Sequence, residues 1–115
     1  MLRLKKVMKK SIKFTVNYSQ YTLKNEDQKI KIVLKKDCAG FSLSNLSNKD
    51  ITTEIGNKKN DHNNIHALVP SQKGIIIEVY SMYSFPTIVP KGTKVWISIP
   101  KGEGIFHFNI WETDE

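Results

Sequence analysis

An all-β fold, an antiparallel β-sandwich of about eight short strands, is what this sequence predicts, on three observations. From Gly74 to Trp111, apolar residues recur at every second position in three runs: GIIIEVYSMYSF, TKVWISI and IFHFNIW. Their side chains therefore sort onto two faces of extended strands. The runs are divided by PSQKG, PKG and PKGEG, where Pro and Gly end one strand and open the next. No stretch carries the 3.6-residue periodicity of a long amphipathic helix. Strands at this spacing, with turn chemistry between them, indicate a sandwich or small barrel, here jelly-roll-like or immunoglobulin-like.

The strands are justified in chain order. SIKFTVNY sets Ile12, Phe14, Val16 and Tyr18 on one face, with Lys13, Thr15 and Asn17 on the other. QKIKIVLKK repeats the scheme, with Ile30, Ile32 and Leu34 against Lys29, Lys31 and Lys35. Lysines on the outer side of a strand are what a guarded sheet edge needs to resist unwanted pairing. GFSLSNL, DITTEI and IHALV follow as shorter strands, the first two joined by the turn-forming SNKD of residues 47–50. GNKKNDHNN, residues 56–64, keeps no packing pattern and is expected to be a mobile surface loop.

Pairing register sharpens the last two strands. A turn at residues 100–103 would set Ile97 opposite Phe106 and Val95 opposite Phe108, so that the large apolar groups share the core. The other face of that hairpin would carry Trp96 opposite His107 and Lys94 opposite Asn109, with Trp111 extending it. An indole is a flat apolar plate with one donor, suited to stacking a sugar ring or a base. Trp96, His107, Asn109 and Trp111 are therefore the candidate binding or interface residues. They would either stack a glycan or be covered by another strand, the N-terminal arm or a neighbouring subunit.

Charge and composition exclude several classes. The chain has 115 residues, one domain's worth, and a net charge of +7. Residues 1–13 hold Arg3, Lys5, Lys6, Lys9, Lys10 and Lys13 and no acid, leaving 12 Lys against 11 Asp and Glu in the rest. The basicity thus belongs to a flexible arm, residues 1–11, ahead of a single sandwich domain, residues 12–115. Arg3 is the only arginine, and arginine makes most bidentate contacts to bases and phosphates. Nucleic acid is expected to meet the arm non-specifically or not at all. A short basic helix over the arm would line up Leu4, Val7 or Met8, and Ile12 for contact with a membrane surface. No apolar run reaches the roughly 20 residues that span a bilayer, and none follows the basic start as in a secretory signal. The single Cys38 excludes an intrachain disulfide, so synthesis in the cytoplasm is expected.

Catalytic constellations are weak. Lys35 and Lys36 precede Cys38 and would lower its thiol pKa, but no base has a local signature near it. Asp61, His62 and His66 have helical spacing for a metal, yet fall in a polar loop and at a strand start. The acids are scattered rather than paired on one strand face. The expectation is no enzyme, no cofactor and no metal.

FSLSNLSNKDITTEI, followed by ALVPSQKGIIIEV, has a recurring shape: a strand ending in Asn-x-Ser, a polar turn, then a Pro-led turn into the next strand. From about Gly40 to Val79 it resembles small β-sandwich proteins of tailed bacteriophages: head-decoration, head-fibre and tail-associated modules. The resemblance implies a non-enzymatic structural or protein-interaction module that self-assembles into a homo-oligomer, with other virion proteins as further partners. Such modules carry no active site. The alternatives are a carbohydrate- or small-ligand-binding sandwich using the tryptophan face, and a phage-encoded inhibitor of a host protein.

Overall fold

The computed structural model describes residues 14–78 and 88–113. The arm expected over residues 1–11, with Arg3, Lys5, Lys6, Lys9 and Lys10, lies outside the described residues. Eight strands follow in order: β1 (Phe14–Thr22), β2 (Gln28–Val33), β3 (Cys38–Ser47), β4 (Ile51–Gly56), β5 (Ile65–Val69), β6 (Gly74–Glu78), β7 (Lys94–Ile99) and β8 (Gly104–Thr113). They form two four-stranded antiparallel sheets. Sheet A has the order β1-β8-β3-β6 and sheet B the order β2-β7-β4-β5.

The pairing defines the topology. β1 pairs with β8, β2 with β7, β3 with β6 and β4 with β5, all antiparallel. That is a single long two-stranded ribbon rolled up on itself, closed by the contacts β3–β8 and β4–β7. The fold is a jelly roll, which decides between the two sandwich types that the sequence left open.

The expected hairpin between the last two strands does not form, since β7 lies in sheet B and β8 in sheet A. Val95, Ile97 and Ile99 are buried, as are Phe106, Phe108 and Ile110, but the two sets meet across the sandwich instead of side by side. Long-range hydrogen bonds hold the 100–103 connection open. Lys101 N–H donates to Asp27 Oδ1 (2.8 Å), Gly102 N–H to the Lys24 carbonyl (2.9 Å) and Glu103 N–H to Asn48 Oδ1 (2.9 Å). Gly104 then turns with φ +111°, and a Cβ there would stand 2.5 Å from the Leu46 carbonyl. Only glycine fits both demands.

Strand β1 is inverted relative to the simplest reading of its pattern. Val16 and Tyr18 point away from the core, at 51% and 56% exposure. Tyr21, of opposite parity, packs against the core instead. The core is shared by both sheets, with Phe41, Phe106, Phe108, Leu43, Ile51, Ile97 and Ile99 its largest fully buried members. Phe41 and Phe108 stack with ring centroids 5.6 Å apart. Each such side chain contributes about 1.5–3 kcal/mol by leaving water.

The Asn-x-Ser and Pro-led turns noted in the sequence meet in space. Asn45 is fully buried and donates from Nδ2 to the Lys49 (2.7 Å) and Val69 (2.9 Å) carbonyls. Its Oδ1 accepts from the backbone N–H (3.0 Å) and hydroxyl (2.6 Å) of Ser47. The Ser47 carbonyl accepts in turn from the Ser71 hydroxyl and from Gln72 Nε2. One buried amide thus ties the β3–β4 turn to the end of β5, and satisfying every polar atom is what allows it to sit there.

Candidate functional site

The four residues singled out from the sequence do not share a face. Trp96 stands on the outer surface of sheet B, while His107, Asn109 and Trp111 stand on the outer surface of sheet A. The core lies between them. The expected pairs Trp96–His107 and Lys94–Asn109 are therefore absent, for the same reason that the hairpin is absent. The molecule presents two distinct outer faces.

Sheet A's outer face is built in cross-strand rows. Val16, Trp111 and Gly40 form one, and Tyr18, Asn109, Ser42 and Ile76 the next. Gln20, His107, Ser44 and Gly74 follow, then Thr22, Ile105 and Leu46. Gly40 pairs onward with Glu78 at the β6 edge, the one Lys, Arg, Asp or Glu position in these rows. Ile76 is 67% exposed and Leu46 47%. Local contacts orient the aromatic groups. Tyr18 Oη lies 3.1 Å from His107 Nε2, and the two rings meet edge to face at 5.1 Å. The Trp111 indole lies over Gly40, where a Cβ would stand 2.8 Å from the ring. Asn109 Nδ2 and Trp111 Nε1 both donate to Ser42 Oγ (3.2 and 3.4 Å), and Asn109 Oδ1 is buried with no acceptor bond.

Sheet B's outer face is charged. Its central row is Lys31, Trp96, Glu54 and His66, and the next is Lys29, Ser98, Thr52 and Leu68. The half-buried Trp96 forms part of a shallow hollow of about 350 Å³, with Glu54, Lys59, His66 and Leu68 around it. Residues 57–64, expected to be a mobile loop, are hydrogen-bonded onto this face. Glu54 Oε2 accepts from Asn60 N–H (2.6 Å) and Asn64 Nδ2 (2.7 Å), and Asn64 Nδ2 also donates to the Lys58 carbonyl (2.7 Å). The Asn64 amide fills the space above Gly56, where a Cβ would meet it at 1.8 Å. The Asn64 hydrogen bond, above all, holds the Glu54 carboxyl below its usual range, with Asn60, His66 and Lys59 adding to it. A run of Asn and Gly read as slack is in fact a turn that satisfies its own backbone. Sequence reasoning missed Glu54 and weighed His66 only as a metal ligand, because only the β4–β5 and β4–β7 registers bring the two beside Trp96.

The remaining candidates separate. Cys38 is fully buried and donates its thiol to the Lys36 carbonyl (3.2 Å). Burial first, then the carboxylates of Glu112 and Asp37, push its pKa up to about 12, the reverse of activation by lysine. His62 pairs only with Asp61 (3.6 Å), and His66 Nε2 lies 3.3 Å from the Asp61 carbonyl. Among the described residues, no three His, Cys, Asp or Glu side chains converge as metal ligands would. Also among the described residues, no helix is long and apolar enough to cross a membrane.

No known protein-family model matches the sequence, and no curated protein matches it. Among solved structures, the chain is similar to PirA at 8% identity and a TM-score of 0.48, over 83% of this chain and 93% of that one. It is similar to the CENP-C cupin domain of Drosophila melanogaster at 15% identity and a TM-score of 0.43, over 84% of this chain and 59% of that one. Drosophila melanogaster CENP-C bound to CAL1 gives 14% and 0.43, over 97% and 92%. What is shared is a distant β-fold, and no functional argument rests on it. These comparisons show no link to phage modules.

Proposed function

We propose that this protein is a non-enzymatic structural and interaction module that assembles with copies of itself through the outer face of sheet A. One observation carries the reading. The four rows of sheet A's outer face hold a single charged residue, Glu78 at the β6 edge, and are rich in exposed aliphatic and aromatic groups. Contiguous exposed apolar surface of this kind marks association sites. A second copy is the occupant that the charge pattern favours. Elsewhere two like-charged molecules repel, as across Lys29, Lys31 and Lys94 of sheet B, whereas the β1-β8-β3 part of sheet A's rows holds no Lys, Arg, Asp or Glu and stacks without burying an ion. Seven residues from each of β1, β8 and β3 and five from β6 make a footprint of roughly 420 Å², so a pair buries roughly 850 Å², the size of a weak, transient interface. Tyr18, His107 and Trp111 supply the aromatic centre that such interfaces prefer.

The finer part of the proposal is a virion accessory of a tailed phage, a decoration, fibre or tail-associated protein made in the cytoplasm and built into the particle. The Lys-, Asn- and Ile-rich composition and the Gly40–Val79 turn pattern support it, as does the use of jelly rolls in viral capsids. Light scattering on the purified chain tests the assembly. The expected mass is a multiple of the chain mass, falling to the monomer in Ile76→Glu. Ile76 is 67% exposed, so that substitution leaves the fold unstrained. A monomeric wild type overturns the proposal.

A further inference from the structure

The geometry points to a second binding site, on the opposite outer face, for a neutral pyranose sugar: the Trp96–Glu54–His66 hollow of sheet B. It goes beyond the assembly reading and does not depend on it, since the two surfaces lie on opposite sides of the core. Four features sit together. Trp96 offers a half-buried indole beside the hollow. Its register partner across β4 is Glu54, whose carboxylate is fixed through Oε2 by Asn60 and Asn64 and kept ionised. Both of those bonds fall on Oε2, so Oε1 remains available to accept. Ser98 and Thr52, paired across β7 and β4, line the hollow with hydroxyls, while Lys59 and His66 add donors.

The ligand class follows from what this arrangement rejects. A cation would be drawn to the indole and carboxylate, but Lys31, Lys59 and Lys94 surround them and repel it. An anion would be drawn to the lysines but meets an ionised Glu54 in the central row. A neutral ring with one apolar C–H face and vicinal hydroxyls satisfies every group. The C–H face lies on the indole, hydroxyls donate to Glu54 Oε1, and Lys59, Ser98 and Thr52 complete the contacts. The hollow, about 350 Å³ and open to water, fits one or two sugar units. Gly56 belongs to the design because any side chain there displaces Asn64, the residue that fixes the carboxylate.

The test is an NMR titration of the full chain with methyl glucoside, methyl galactoside, methyl mannoside and N-acetylglucosamine, with choline and inorganic phosphate as controls. At least one glycoside is expected to shift the Trp96 indole N–H and the amides of residues 52–68 while leaving the Trp111 indole still. Glu54→Gln is expected to weaken that binding about tenfold or more, as loss of a charge-assisted hydrogen bond does. Trp111→Ala is expected to leave it unchanged. Light scattering on Glu54→Gln should show the wild-type mass, which separates failure of this site from failure of the assembly. Silence toward all four sugars overturns the proposal. So do shifts produced only by choline or phosphate, sugar shifts centred on Trp111, or full binding by Glu54→Gln.

Discussion

The two outer faces of this sandwich share one core and differ in almost everything else. Sheet A turns outward a surface of Val16, Tyr18, Ile76, Leu46 and Trp111, with Glu78 at the β6 edge the one charged residue of its rows. Sheet B turns outward Lys29, Lys31 and Lys94 around one tryptophan and one clamped glutamate. The first is the surface proposed to stack on a second copy, and the second is the surface proposed to take a sugar. The difference teaches that a tryptophan's sequence context says little until its cross-strand neighbours are known. Trp111 lies over a glycine beside serines, whereas Trp96 stands between a lysine and a glutamate.

The contrast breaks first if the inside and outside of β8 are exchanged. Phe108→Ala empties a fully buried position stacked on Phe41 and is expected to cost about 3–5 kcal/mol, read by denaturant unfolding. Asn109→Ala, one residue along on the outer face, loses a 3.2 Å bond but also removes a buried acceptor that has no partner. It is expected to cost less than about 1 kcal/mol. Reversed magnitudes would turn sheet A inside out.

It breaks next if the ribbon does not roll up as described. Asn45→Ala strips the Lys49 and Val69 carbonyls of donors and Ser47 of its acceptor, all in a buried turn. The expected loss is about 2–4 kcal/mol in the same assay, because unsatisfied buried groups keep their desolvation cost. A neutral Asn45→Ala would mean that the turns open to water and that the assignment of β7 and β8 to different sheets needs revision.

A smaller effect sharpens the contrast between the two indoles. Trp111→Ala is expected to weaken self-association by about 2 kcal/mol, about thirtyfold, and to lower the mass seen by light scattering. Trp96→Ala is expected to leave the mass unchanged. Equal effects would show that both faces contribute to assembly.

The smallest effect is confined to sheet B. The Glu54 carboxyl titrates below its ordinary value of 4.5, held there chiefly by Asn64. Its hold on the 57–64 turn is therefore complete above that ordinary value and is lost as pH falls through the lowered one. Protection of the Asn60 backbone amide and the Asn64 side-chain amide, measured as exchange relative to the intrinsic rate at each pH, should fall at acid pH, and Gly56→Ala should produce the same loosening at neutral pH by displacing Asn64. Exchange that is insensitive to both would detach the loop from Glu54.

The local pattern of the chain was enough to place eight strands and to choose the inward residues of β2, β7 and β8. Period-two alternation is a property of each strand alone, and Ile97 or Phe108 is buried whichever strand lies next to it. Turn chemistry was legible too: Asn45, Ser47 and Pro70 mark turns that the fold then locks together. Pairing was another matter. Val95, Ile97, Phe106 and Phe108 give the same buried pattern as neighbours in one sheet or as partners across the sandwich, so parity cannot decide between a hairpin and a crossover. Only the distant partners Asp27, Lys24 and Asn48 of the 100–103 connection decide it. With that choice Trp96 was separated from His107 and Trp111, Glu54 and His66 were brought beside it, and the apolar stripe of β1 was turned outward. The sequence by itself determined what is buried in β2, β7 and β8, though not in β1. The tertiary structure determined what shares a face, because facing is set by contacts between residues far apart in the chain.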